Sequence, residues 1–108
     1  PIKAAILPLV NKDGLPEKAE EIINLLKFDH LITSEEKDSI GKRYRRQDAI
    51  GTPFCITVDH QTLVDNTVTI RDRDTMQQER VAILDLSKII GDKVNVNNIL
   101  RKINLGKV

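Results

Sequence analysis

Residues 54–84 read FCITVDHQTLVDNTVTIRDRDTMQQERVAIL, and three strand-like segments follow one another in this stretch. The first is 54–58, the second is 67–71 and the third is 80–84, because each is rich in β-branched and apolar residues. The pair Asp65-Asn66 predicts a turn before the second strand. Strands in direct succession pair antiparallel, so this stretch predicts the antiparallel half of a sheet.

The residues before this stretch alternate between strands and helices. An apolar run at 3–10 predicts a buried strand, and Pro16 followed by three glutamates predicts the start of a helix. A second strand is predicted at 28–33. A second helix is predicted at 39–50, capped by Ser39 or Asp38 and ended by the Gly-Thr-Pro that follows it.

Apolar residues at 86–90 and 99–103 predict one or two closing helices. The predicted order is therefore β-α-β-α-β-β-β-α. Alternation of strands and helices implies a parallel sheet with right-handed crossovers, and the later strands add an antiparallel portion. We expect an α/β fold over 1–108, a single domain with a mixed five-stranded sheet flanked by three helices.

Composition limits the classes of protein to which the chain can belong. Its 108 residues suit one domain, and 40% apolar with 31% charged residues is typical of a globular chain. Three aromatic residues are too few for a base-stacking platform. The first 38 residues carry five lysines and eight acidic residues, whereas 81–108 carry five basic and two acidic ones. This asymmetry permits a polyanionic partner on one side.

Several features bear on the compartment. Cys55 is the only cysteine, which excludes an internal disulfide and favours a reducing, cytoplasmic location. No apolar run approaches the roughly 18 residues of a transmembrane helix, and no signal-peptide pattern is present. The chain begins with Pro1 instead of Met, which leads us to expect a fragment of a longer protein.

Familiar catalytic and metal motifs are not found. Gly41-Lys42 lacks the other residues of a phosphate loop, and no GxGxxG occurs. Asp59, His60 and Asp65 favour a solvated turn over a metal site, because no further His or Cys stands near them. Cys55 within a strand is typical of a small buried hydrophobe. We therefore predict no catalytic and no metal-binding residue in this chain.

Two charged segments remain, and each has two interpretations. The second helix holds four cations in five residues, Lys42, Arg43, Arg45 and Arg46, and the second strand of the opening stretch ends in Arg71-Asp-Arg-Asp74. The structural interpretations are a solvated helix face and a ladder of surface salt bridges worth under about 1 kcal/mol per pair. The functional interpretation is a set of donors and acceptors for a polar ligand. Each segment alone leaves both open.

Together the two segments show a resemblance. Residues 39–54, SIGKRYRRQDAIGTPF, and 65–81, DNTVTIRDRDTMQQERV, resemble the C-terminal anticodon-binding domain of glycyl-tRNA synthetase, in its dimeric, eukaryote-like class II form. The run at 3–10 resembles the opening strand of that family, so the likeness covers nearly the whole chain. Ala49, where many members carry Glu, and His60, where an aromatic residue is common, depart from the pattern.

The resemblance implies the same fold, a mixed five-stranded sheet flanked by three helices. It also implies that this domain binds the anticodon loop of glycine tRNA and needs no cofactor of its own. A separate catalytic domain of the parent enzyme, a homodimer, would use ATP and Mg²⁺ to join glycine to the tRNA. No catalysis is expected from this chain alone.

The implied site residues follow from the ligand. Glycine tRNAs carry two cytosines in the anticodon, and cytosine offers an amino donor suited to Asp and acceptors suited to Arg. The base-reading residues are then Arg71, Asp72, Arg73 and Asp74, the phosphate contacts are Lys42, Arg43 and Arg46, and the neighbouring candidates are Gln77, Gln78 and Arg80. If the strand continues through position 74, the arginines face one way and the aspartates the other. If it ends at Arg71, a bend brings a mixed set together.

Three other functions are compatible with the same residues. One is a stand-alone accessory or regulatory RNA-binding domain with this fold. Another is a docking module whose basic surface binds a partner protomer or the catalytic domain. The third, a small-molecule-binding α/β module, is disfavoured by the lack of Gly-rich phosphate loops.

Overall fold

The computed structural model of the chain describes residues 2–34 and 39–92. The elements are β1 (Ala4–Pro8), α1 (Leu15–Leu26), β2 (Ile32–Ser34), α2 (Ile40–Ile50), β3 (Phe54–Val58), α3 (His60–Asp65), β4 (Thr67–Asp72) and β5 (Gln78–Ala82). A 3-10 turn at Ile83–Asp85 then leads into helix α4, which begins at 86 and runs to 92, the last described residue. The apolar positions at 99–103 lie outside the described residues.

The five strands form one mixed sheet in the order β2-β1-β3-β4-β5. β1 pairs parallel with β2 and β3, because α1 and α2 carry the chain back to start each next strand at the same end. β3 pairs antiparallel with β4, and β4 with β5. The predicted α/β class, the number of strands and the division into parallel and antiparallel halves are confirmed.

Alternation of side chains gives the sheet two differently covered faces. On one face, the larger core joins apolar residues of β1, β3 and β4 to the buried stripe of α1 and to Leu86 and Ile90 of α4. On the other face, Ala5, Leu7 and Cys55 pack against Ile40 and Tyr44 of α2. On the same face, β4 and β5 carry polar side chains that no helix covers in residues 2–34 and 39–92.

The start of α1 agrees with the sequence pattern. Gly14 precedes the helix with φ 80°, a left-handed conformation that glycine adopts at no steric cost, and Pro16 lies in the first turn. Ala19, Ile22 and Leu26 are buried against the sheet. Their spacing of three and four residues is that of one helical face.

Two strands differ from their predicted bounds. The second strand, predicted at 28–33, is Ile32–Ser34, because 28–30 form a turn in which Phe28 is 85% exposed. The fifth, predicted at 80–84, is Gln78–Ala82. Ile83 leaves the strand in a 3-10 turn and is buried there, so its apolar side chain belongs to the connection and not to the sheet.

The predicted set of three helices is incomplete, because α3 fills the connection between β3 and β4. Asp59 caps it: its carboxylate accepts from the backbone N–H of Thr62 at 3.1 Å, and the Thr62 hydroxyl accepts from the backbone N–H of Asp59 at 3.0 Å. This reciprocal cap stabilises a helix of only six residues. Asn66, with φ 57°, is the C-cap of α3 and immediately precedes β4.

A search of the described residues, 2–34 and 39–92, finds no helix long and apolar enough to cross a membrane.

Candidate nucleic-acid interface

Helix α2 begins and ends where the sequence predicts. Ser39 is the N-cap, and its hydroxyl accepts from the backbone N–H of Lys42 at 3.4 Å. Gly51 follows the last turn with φ 80°, and no atom lies within 4 Å of the position that a Cβ would take there. The glycine is therefore required by the backbone conformation and not by crowding.

The cations of α2 lie on different sides of the helix. Asp48 faces β4, and Arg45, three residues earlier, is its neighbour around the helix. Lys42 and Arg46 are four residues apart and form an outward stripe that lies farther from Asp48. All three cations are exposed, so the outer surface of α2 is positively charged.

Arg43 does not belong to this exposed surface. It is 1% exposed, and its Nη2 donates to the backbone oxygen of Leu9 at 3.1 Å. A guanidinium in this position joins α2 to the chain just after β1. A side chain so buried is not available to a phosphate at the surface, and the surface proposed below leaves Arg43 out.

Arg71 is held on three sides. Its Nη1 donates to Asp48 Oδ1 and Oδ2 at 3.3 and 3.2 Å, and its Nη2 donates to Oδ2 at 3.2 Å. Its Cζ lies 5.0 Å from the centre of the Tyr44 ring, and Met76 Sδ lies 3.2 Å from Nη2. These contacts leave the side chain 12% exposed. Arg71 is thus a fixed guanidinium at the edge of the uncovered sheet face.

Tyr44 connects this arrangement to the sheet. Its hydroxyl is hydrogen-bonded to the Thr57 hydroxyl on β3. Burial raises the pKa of Tyr44, although the Thr57 hydrogen bond and the nearby charge of Arg71 oppose the shift. The phenol is therefore neutral at neutral pH, and its ring lies against Arg71.

Arg73 reaches the same end of α2 as Arg71. Its Nε donates to the backbone oxygen of Asp48 at 3.1 Å, and its backbone N–H donates to the Pro53 oxygen at 2.9 Å. The side chain is 42% exposed, and Asp74 Oδ1 lies 3.8 Å from Nη1. Within 71–74, Arg71 therefore pairs with Asp48 from outside the run, and Arg73 lies at salt-bridge distance from Asp74.

Asp72 has a different environment from the arginines. β4 continues through Asp72, and a turn begins at Arg73. Asp72 Oδ1 accepts from the backbone N–H groups of Asp74 and Thr75 at 2.8 and 3.3 Å and so closes that turn. Asp72 also lines a cavity of about 370 Å³ with Phe54 and Ile70, on the face opposite α2.

Gln78 and Arg80 extend the polar face onto β5. Gln78 pairs with Arg71 and Arg80 with Thr69, so all four side chains share the face beside α2. Arg80 is hydrogen-bonded to Asp59, and its Nη1 donates to the Thr67 hydroxyl at 3.0 Å. Gln77 lines the cavity that Asp72 borders, and Gln78 contributes to the lining of the same cavity.

Asp59 therefore has two roles, since it caps α3 and pairs with Arg80. Burial raises the pKa of Asp59, but the hydrogen bonds from Arg80 and Thr62 outweigh this, and the net shift is downward. The carboxylate stays ionised well into the acid range and holds Arg80 on the sheet face.

The remaining sequence candidates do not converge on a site. His60 Nε2 lies 3.0 Å from Asp13 Oδ2 on an exposed surface, and Ala49 is exposed on α2. Cys55 is buried in the small core. Over 2–34 and 39–92, no group of three or more His, Cys, Asp or Glu side chains is placed to bind a metal ion.

The sequence pattern does not single out Asp48, Asp59 or Arg45. One weak indication exists for Asp48. An acidic residue in the last turn of a helix interacts unfavourably with the helix dipole, which favours pairing with a cation. Asp59 followed by Thr62 is the spacing of a capping box. Arg45 could be separated from its neighbours only once the side of α2 that faces β4 was known.

Comparison with known proteins places this geometry in a family. Residues 3–93 match the model of the anticodon binding domain family. The chain is 60% identical over 91 residues to the glycine–tRNA ligase of Malacoplasma penetrans, covering 82% of the chain and 19% of that protein. It is 53% identical over 97 residues to that of Rhodopirellula baltica, covering 90% and 18%. The chain thus spans about a fifth of the length of these relatives.

A solved structure confirms the fold independently. The RNA-binding domain of threonyl-tRNA synthetase from Cryptosporidium parvum superposes with a TM-score of 0.76 over 84% of this chain and 23% of that one. At 19% identity, this likeness concerns the fold alone. Because the family model covers most of the chain, the chain belongs to the anticodon binding domain family, and the glycine–tRNA ligases are the relatives that it resembles.

Proposed function

We propose that this chain binds the anticodon loop of glycine tRNA as the anticodon-binding domain of a glycine–tRNA ligase. The observation that supports this best is the continuous polar face beside α2. There Arg71, Arg73, Gln78 and Arg80 lie next to one another on β4, β5 and the turn between them. Single-stranded loop bases are read through their edges, and this face offers the donors for that.

The base-reading groups are those that combine exposure with a fixed position. Arg73 and Arg80 are partly exposed and each is anchored by hydrogen bonds, to Asp48 and to Asp59. Arg71, which is 12% exposed and held by Asp48, lies beside Gln78 on the adjoining strand and completes the base-reading set. Guanidinium and amide N–H groups meet the ring nitrogen and oxygen of cytosine.

The two aspartates of 71–74 have different roles in this proposal. Asp74 is exposed at the turn, where its carboxylate meets the amino group of a cytosine. Asp72 acts through the turn that it closes, because its Oδ1 is engaged by two backbone N–H groups.

Phosphates are bound by the exposed cations of α2. Lys42 and Arg46 form the outward stripe, and Arg45 borders the base-reading face. Such contacts orient the RNA and add affinity that depends on salt, but they carry no sequence information.

The rest of the enzyme supplies the chemistry. In this proposal a catalytic domain elsewhere in the protein joins glycine to the tRNA with ATP and Mg²⁺, and the enzyme is a cytoplasmic homodimer. The domain described here uses none of its own residues for that reaction, and its contribution is to position the tRNA.

Charge-removing variants test the proposed face. Arg73→Gln and Arg80→Gln should each weaken binding of a glycine tRNA anticodon stem-loop by about tenfold or more, in line with about 1–3 kcal/mol for a good base contact. Lys27→Gln removes the same charge from the exposed residue that follows the last turn of α1, a helix that packs on the opposite face, and should have little effect. Equal affinities for all three variants would contradict the assignment.

A further inference from the structure

Asp48 lies where the two arginines of β4 and its turn meet α2. Its carboxylate accepts three hydrogen bonds from Arg71, and its backbone oxygen accepts one from Arg73. The carboxylate is 33% exposed, so it borders the polar face. Of the residues that the structure describes, it is the carboxylate that contacts Arg71.

The geometry of these contacts constrains the direction of both guanidinium groups. The two Nη atoms of Arg71 are directed at the carboxylate, which fixes the plane of the guanidinium against the Tyr44 ring. Arg73 uses its Nε on the end of the helix, which leaves its Nη groups beyond α2, near Asp74. Fixed donors discriminate between bases better than mobile ones, because they cannot reorient to suit a base with a different pattern of donors and acceptors.

This inference rests on the proposed function. We propose that Asp48 is a positioning residue for anticodon specificity: its carboxylate fixes Arg71, beside the Arg73 that its backbone oxygen holds, in the arrangement that distinguishes cytosine from uracil. Asp48 itself does not contact the base. Cytosine presents a ring-nitrogen acceptor where uracil presents an N–H donor, and a guanidinium can only donate. A mobile guanidinium tolerates either base by rotating, whereas a fixed one does not.

Two effects of Asp48→Asn on RNA affinity must be separated: the loss of a negative charge and the loss of the hydrogen bonds that position Arg71. Loss of one negative charge near bound RNA should strengthen binding of every RNA by a similar factor. Release of Arg71 from the carboxylate should instead reduce the ratio of affinities for the cytosine and uracil anticodons, while the backbone hydrogen bond to Arg73 remains. The ratio therefore separates the two effects, since a uniform gain cancels from it.

The test measures this ratio for the whole chain with two anticodon stem-loops, one with both cytosines and one with both replaced by uracil. We expect Asp48→Asn to reduce the ratio about fivefold or more. Asp85→Asn, an exposed aspartate in the 3-10 turn with the same change of charge, should keep the wild-type ratio. If Asp48→Asn does not fold, Asp48→Glu gives the same comparison, because its carboxylate is displaced by one carbon.

A second measurement reports the position of Arg71 directly. In the wild type, NMR should show separate Nη–H signals for Arg71, because a guanidinium paired on both Nη atoms rotates slowly. These signals should merge in Asp48→Asn. An unchanged ratio would overturn the positioning role, and so would separate signals that persist in the variant. A wild-type chain that does not distinguish the two stem-loops would instead overturn the proposed function itself.

Discussion

Asp48 on α2 and Arg71 on β4 are joined by hydrogen bonds of 3.2–3.3 Å through both carboxylate oxygens. The pair links the last turn of the helix to the strand that ends at the predicted binding surface. It also explains how two arginines, Arg71 and Arg73, can lie close together at the end of β4. The charge of Arg71 is balanced from outside the run, which leaves the exposed groups of Arg73 and Asp74 for a ligand.

Arg71→Lys should destabilise the domain by about 1–2 kcal/mol. Lysine keeps the charge but has no planar fork, so it cannot pair with both oxygens of Asp48 while lying flat on Tyr44. The free energy of unfolding from urea titration measures this. Arg45→Lys, the same substitution at an exposed position of α2, should change it by less than about 0.5 kcal/mol.

Arg43→Ala should destabilise the domain by about 3 kcal/mol, because it removes a large buried side chain and leaves the Leu9 oxygen without its donor. Lys42→Ala, one residue away and exposed, should leave stability within about 0.5 kcal/mol. Thermal unfolding of the two variants checks the contrast. Similar melting temperatures would mean that Arg43 is not a structural cation.

Arg45→Ala should weaken RNA binding more than Arg46→Ala does, although both remove one exposed arginine from α2. The reason is that Arg45 is the neighbour of Asp48 around the helix, whereas Arg46 lies farther from it. We expect the slope of log affinity against log salt to fall by about one unit for Arg45→Ala. A larger loss for Arg46→Ala would place the RNA on the outward stripe.

Asp59 should make stability depend on pH in the acid range. Its pKa is lowered in the folded state, so its contribution is present above the unfolded value of about 3.9 and is lost as pH falls through the folded value. Asp59→Asn should cost about 1 kcal/mol at pH 6, through the cap of α3 and the partner of Arg80. That difference should shrink toward pH 2.5, as measured by urea unfolding of both proteins across the range.

Much of the fold could be predicted from local patterns. The α2 boundaries followed from Ser39 and Gly51, whose roles are set by backbone geometry alone. Helix α3 was missed because six residues are too short to show a helical period, and its cap is the only local signal. The bounds of β5 were wrong because an apolar residue, Ile83, is buried in a 3-10 turn.

The site was less predictable, because it depends on contacts between distant segments. Four cations in α2 look alike in the sequence, and only the packing of α2 on β1 buries Arg43 and leaves Lys42 exposed. Similarly, the sequence could not decide which side of the sheet Arg73 would face. That was settled by its hydrogen bond to Asp48, 25 residues earlier in the chain.

The most direct test of the central claim is the affinity of this chain for a glycine tRNA transcript, compared with the same transcript in which both anticodon cytosines are replaced. Salt must be held constant and moderate, since phosphate contacts alone bind every RNA. If the domain reads the anticodon, we expect affinity to fall about tenfold or more when the cytosines are replaced. Anticodon reading would be contradicted if the two transcripts bound with equal affinity and if both affinities decreased in parallel as salt was raised.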